Sequence, residues 1–146
     1  MRRLIVLPLL LCATAAIAAP TNIVGTRIAG FRELGAAFKA VNDGLRGEPQ
    51  TILIQQSARQ IRNAASQMPG WFPQGSGPRP GVKTASKAEI WTQQPKFKAA
   101  QDAFIAQAAR FQQVANSGNA AAMRVEARKL GATCKGCHDS FRVPSN

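Results

Sequence analysis

Cys134-Lys135-Gly136-Cys137-His138 is the stretch of this sequence whose residue types and spacing together imply chemistry. A C-x-x-C-H run is the attachment sequence for c-type haem. Each thiol adds across one vinyl group of the porphyrin, so both cysteines must reach one edge of the ring. On a helix, residues three apart share a face. His138, four residues after Cys134, can then present its imidazole to the iron from one side. It is the only histidine in the chain.

Other uses of paired cysteines fit less well. A thioredoxin-like C-x-x-C opens a helix after a strand, whereas this pair closes a chain with no strand pattern. Structural zinc wants four ligands, and the C-terminal region offers two thiols and one imidazole. A disulfide suits an oxidising compartment but leaves the adjacent histidine unexplained. The motif therefore predicts one covalently bound haem c, with His138 as the axial ligand to its iron.

The elements that must position this motif are legible as helices. Apolar residues recur in steps of three and four in four stretches, which is the amphipathic-helix rhythm. Within 22–46 the stripe is Phe31, Leu34, Phe38, Val41 and Leu45; within 50–67 it is Ile54, Ala58, Ile61, Ala65 and Met68. Within 94–116 it is Phe97, Gln101, Phe104, Ala108 and Phe111, and within 119–142 it is Met123, Ala127, Leu130, Cys134, Cys137 and Phe141. No stretch alternates with period two for long enough to predict a sheet.

The punctuation agrees. Gly47-Glu48-Pro49 separates the first two stretches, and Ser117-Gly118-Asn119 the last two, with Asn119 placed as an N-cap. The segment 69–81, PGWFPQGSGPRPG, is too rich in proline and glycine for regular structure. After it, Ser86 and Glu89 have capping-box spacing for a short helix carrying Ile90 and Trp91. Pro95 suits a first helical turn. Steps of three and four favour packing near 20°, so the expected fold is all-α, an antiparallel four-helix bundle.

The N-terminus reads differently. MRRLIVLPLLLCATAAIAAP runs from two arginines through an apolar stretch to small residues, the order of a secretory signal peptide. Cleavage after Ala18 would leave 19–146 as one haem-binding domain, exported to the periplasm. Cys12 follows Leu11 rather than a small residue, which disfavours a lipoprotein site. No other stretch predicts an integral membrane protein. The chain is basic, with a formal charge of +12 that drops by two when Arg2 and Arg3 leave. The basic residues are scattered rather than run together or interleaved with aromatics, so no nucleic-acid partner is expected. A solvated cationic surface suited to acidic partners is the simpler reading.

Taken in order, TRIAGFRELGAAF, MPGWFPQGSG, AEIW, PKFKAAQDAF and GATCKGCHDSFR resemble the class II cytochromes c, the cytochrome c′ type. The resemblance covers the chain beyond the signal peptide and implies the cytochrome c′-like bundle, with the haem carried by the last helix. It implies that Phe31, with Ile28 beside it, occupies the distal-pocket position. It also implies that Arg27 lies near a haem propionate and that Arg142 lies beside the proximal pocket. Each has a plainer reading: a core phenylalanine, a surface arginine, and an arginine at a helix C-terminus. The family's hydroxyl or acidic contact from the long loop is assigned to Ser76. Phe104, with Trp71 and Phe72, can pack on the ring edge.

The low-spin relatives take a sixth ligand from the first helix, a few residues after an arginine. Here that stretch is Arg27-Ile28-Ala29-Gly30-Phe31 and holds no methionine. Beyond the signal peptide only Met68 and Met123 remain, both on apolar stripes, where methionine is usually core. The expected function is thus an electron-transfer cytochrome with a vacant distal site that binds small gases such as NO or CO. The alternative is a six-coordinate, low-spin cytochrome acting only as an electron carrier. No distal acid–base pair is visible, so an enzyme is not expected. Redox partner proteins are implied without being identified, and the resemblance admits a homodimer.

Overall fold

A computed structural model describes residues 22–144. The signal-peptide reading of 1–18 lies outside the described residues. Four long helices form the bundle: α1 (Ile23–Gly44), α2 (Thr51–Gln67), α4 (Gln94–Ser117) and α5 (Ala120–Phe141). A single turn, α3 (Glu89–Thr92), precedes α4. No strand occurs among the described residues; one isolated antiparallel bridge joins Ser86 to Arg142.

Local chemistry sets most boundaries. Asn22 caps α1 by accepting from the Gly25 N–H at 3.0 Å, and Asn119 caps α5 by accepting from Ala122 at 2.9 Å. Pro95 lies in the first turn of α4, where its missing N–H has no intrahelical partner to lose. Gly118 ends α4 in the left-handed conformation, φ 70°, at no steric cost. Two expectations are corrected. Ser86 does not cap α3: Ala88 takes the N-cap, without a side-chain bond, because the Ser86 backbone is drawn into the bridge with Arg142. The proline–glycine segment also begins with regular structure, a 3-10 turn at Met68–Trp71 that follows α2 directly.

The closely packed helix pairs are α1 with α2, α2 with α4, and α4 with α5. The pair α1 with α5 is not among them. These two helices are tied at one end, where Arg124 donates to the carbonyls of Leu45 and Gly47, each at 3.1 Å. A Cβ added at Gly131 would lie 3.2 Å from the Phe38 ring, so α5 passes close to α1 there. Toward the C-terminus of α5 a cavity separates them.

Trp71 props the α1 side of this opening. It is buried and stacks edge-on against Phe31, with ring centroids 5.1 Å apart. Gly30 lets the indole approach: a Cβ there would sit 2.5 Å from two Trp71 ring carbons. A rigid, buried indole cannot yield as a flexible chain would. Gly30→Ala is therefore expected to destabilise the protein by about 1–3 kcal/mol, the usual cost of overpacking, although alanine is the better helix former. Denaturant unfolding checks this; an increase in stability would mean that Trp71 is free to move.

Candidate haem site

The cavity has a volume of about 490 Å³, within the range of small-molecule and cofactor pockets. α1 contributes Arg27, Ile28, Phe31, Arg32, Leu34, Gly35 and Phe38. α5 contributes Leu130, Cys134, Cys137, His138 and Phe141, with Arg142 just beyond it. Ile61, Met68, Phe72, Ile90, Phe97 and Phe104 close the back, and Thr84, Ala85 and Ser86 close one side.

The predicted stripes behave unevenly here. Their members are buried except for Phe31, Leu34, Phe38, Cys134 and Cys137, and all five line the cavity. Apolar surface that the protein leaves half-covered around one concave space calls for another apolar body to cover it.

Cys134 and Cys137 are free thiols, both half-buried on the cavity side of α5. Burial, and secondarily the neighbouring Cys134, pushes the Cys137 thiol up to about 11. Burial raises Cys134 as well. Both are therefore protonated thiols at neutral pH. Burial lowers the pKa of His138, and the nearby Arg142 charge lowers it further. The imidazole is thus neutral at pH 7, with a ring nitrogen lone pair available to a metal.

Arg27 is 2% exposed. Its Nη1 donates to the Trp71 carbonyl at 3.2 Å and to Ser76 Oγ at 3.3 Å. Its Nη2 donates to the Ser76 carbonyl at 2.9 Å and reaches Thr84 Oγ1 at 3.5 Å. The guanidinium also lies over the Phe72 ring, 4.8 Å from its centroid, and 5.5 Å from that of Trp91. No carboxylate is among these partners, and Nε is buried without an acceptor. Burial lowers its pKa, yet arginine remains charged in proteins. A buried cation without a counter-anion is costly, so this corner of the cavity is built for an anion. An apolar slot with two thiols, an imidazole and a buried guanidinium is the donor set that a haem bearing carboxylates requires.

Arg142 is held by a clasp. Its backbone is extended beyond α5 and its N–H donates to the His138 carbonyl at 3.0 Å. On either side, Lys87 N–H donates to Phe141 O at 2.9 Å and Val143 N–H to Ala85 O at 2.8 Å. The long loop thereby satisfies carbonyls that a helix end leaves open and sets Arg142 on the same wall as His138. Ser76 is the residue that moves from its expected place. It is buried behind Arg27 as a hydrogen-bond partner and does not line the cavity; Thr84 and Ser86 do. Trp71 likewise supports Phe31 from behind, whereas Phe72 and Phe104 face the cavity.

The cytochrome c′ family profile matches residues 22–142. The chain belongs to the cytochrome c′ family. It is 32% identical to the cytochrome c′ of Pararhodospirillum photometricum over 127 residues, covering 86% of this chain and 99% of that protein. With the cytochrome c′ of Allochromatium vinosum it shares 29% over 136 residues, 90% of this chain and 88% of that one. The solved cytochrome c′ of Thermochromatium tepidum has the same fold, with TM-score 0.81 at 24% identity, covering 87% of this chain and 98% of that one. A cytochrome c′ described as having an unusual ligand-controlled dimer dissociation matches with TM-score 0.80 at 26% identity, covering 87% and 98%. Cytochromes c′ are c-type haem proteins, and the all-α bundle of this chain is theirs.

Proposed function

We propose that this chain is an exported, monohaem cytochrome c′ whose domain spans 19–146, with haem c held covalently by Cys134 and Cys137. Bound there, haem supplies an iron that changes redox state by one electron and takes up small neutral ligands. His138 is the proximal ligand. Arg27 neutralises a propionate, with its unpaired Nε available for that bond. The observation that carries this reading is the open stretch in the helical stripes: the five unburied positions, the two thiols among them, all surround one cavity that the imidazole also lines.

The apolar part of the α1 side of the cavity is Ile28, Phe31, Leu34, Gly35 and Phe38; of the two α1 arginines on the wall, Arg27 donates to Trp71 and Ser76 and Arg32 is exposed. None of the five apolar side chains can ligate iron or donate a hydrogen bond. With Met68 packed in the core, the sixth position of a bound haem would be left to an exogenous ligand, and NO and CO would be favoured over dioxygen, which gains from a polar donor. A structural relative is described as the nitric oxide complex of a cytochrome c′ variant from Alcaligenes xylosoxidans, which agrees with this choice of ligand. The role is gas binding together with one-electron exchange with redox partner proteins. No catalytic turnover is proposed.

Phe31 tests the distal assignment. Its ring is wedged between Trp71 and Phe72, with centroids at 5.1 and 6.0 Å, so it blocks the space by position rather than by bonding. Phe31→Ala should raise the CO affinity of the ferrous protein by about tenfold, equivalent to ~1.4 kcal/mol, with faster association measured by stopped flow. Unchanged rate and affinity would mean that the gas does not approach past Phe31.

A further inference from the structure

The cavity wall carries Arg27, Arg32 and Arg142 and no aspartate or glutamate. Two of these, Arg32 and Arg142, are exposed at the rim. Lys83 and Lys87 bracket the wall segment Thr84–Ser86, and Lys87 Nζ reaches back to donate to the Asp139 carbonyl at 3.2 Å. Lys135 lies on the adjoining face of α5, one turn before Asp139. The mouth is thus cationic, with Arg32 and Arg142 on the wall and Lys83 and Lys87 flanking its loop segment.

The carboxylates do not balance these cations. Asp139 is already paired with Lys135. Glu33 follows Arg32 in sequence but lines a separate groove between α1 and α2. Glu89, on the first turn of α3, is the remaining acidic residue near the loop. Asp43, Asp102 and Glu126 are engaged by Lys39 and Arg46, by Lys98 and by Lys129. Two apolar side chains are exposed alongside these cations, Ile28 (43%) on the cavity wall and Val143 (47%) next to Arg142 in the chain.

From this arrangement we infer that the cavity mouth, between α1 and the loop-clasped end of α5, is a docking surface for an acidic electron-transfer protein. The inference rests on the haem reading above and names the partner that reading leaves open. A cavity mouth with exposed apolar side chains and flanking charges of one sign is suited to a transient complex. Such complexes are small, and charge complementarity sets their on-rate and orientation. A protein partner is favoured over an anionic membrane because electron exchange needs a second redox centre close to this mouth. In the exchange one electron leaves the reduced centre of the partner, which is oxidised, and arrives on ferric haem, which is reduced. No bond forms and no proton moves.

The test uses the haem-loaded protein. First, a deca-glutamate peptide is coupled to it by carbodiimide at low ionic strength, and the modified lysines are mapped by mass spectrometry. Lys83 and Lys87 should couple ahead of Lys39, Lys96 and Lys98; coupling spread evenly over all of them would overturn the proposal. Second, oxidation of the ferrous protein by ferricyanide is compared in two variants of equal net charge. K83E/K87E should slow it by at least tenfold, within the range of electrostatic steering. R59E/R62E, on α2 and off the cavity wall, should change it less than twofold. Equal slowing in both would show a net-charge effect and overturn the docking surface. Tighter binding of the protein to vesicles containing phosphatidylglycerol than to the peptide, measured by co-sedimentation at the same ionic strength and lost in K83E/K87E, would overturn the protein partner. A preparation without covalent haem would instead refute the underlying haem reading, a failure seen in the spectrum before either comparison.

Discussion

Arg27→Leu should destabilise the haem-loaded protein by about 3–5 kcal/mol, the range for removing one partner of a buried ion pair. Two losses combine. The Trp71 and Ser76 carbonyls lose their donors, and each buried acceptor left unsatisfied costs about 1–3 kcal/mol. The haem carboxylate assigned to this corner loses its cation. Leucine keeps much of the packing against Phe72, so the effect is polar rather than volumetric. Arg27→Lys restores the charge but not the fork that spans Trp71, Ser76 and Thr84, and should recover only part of the stability. Guanidinium chloride unfolding followed by far-UV circular dichroism measures both. A loss below about 1 kcal/mol for Arg27→Leu would mean that the guanidinium is solvated and not the keystone of this loop.

Cys134→Ala/Cys137→Ala should abolish covalent haem outright, read as loss of the haem mass on the denatured chain. The consequence extends to the fold. The cavity of about 490 Å³ opens to solvent at its mouth, so without haem its apolar wall faces water or the bundle collapses around it, and the burial that haem would supply is lost. A fall in melting temperature on the order of 20 °C is expected, corresponding to about 5 kcal/mol lost after relaxation. A haem-free variant as stable as the loaded protein would show that the α1–α5 gap closes without its ligand.

The helices were legible because their apolar stripes have one period throughout. Their boundaries follow from caps such as Asn119 and Pro95, whose chemistry is local. The gap between α1 and α5 was not legible. Phe31, Leu34 and Phe38 continue the same rhythm as Val41 and Leu45, and a sequence does not distinguish a stripe covered by protein from one covered by a ligand. The C-x-x-C-H motif was readable because haem attachment demands fixed residue types at fixed spacing. Thr84 and Ser86 were missed because they sit in aperiodic chain; their place on the wall depends on the register between the loop and Val143. Ser76 was the plausible hydroxyl by order alone. Arg27 pulls its carbonyl inward, which folds the turn behind the guanidinium and away from the cavity. Met68 carried an ordinary core signal and is in the core, yet it also lines the cavity.

The open distal position is tested most directly by the absorption spectrum of the dithionite-reduced protein before and after carbon monoxide. This account predicts a broad, unsplit visible band that sharpens when the gas is added, in Met68→Leu as in the unaltered chain. Sharp, split bands unmoved by the gas would contradict it. If Met68→Leu then abolished them, the sixth ligand would be the Met68 thioether and electron transfer the primary role.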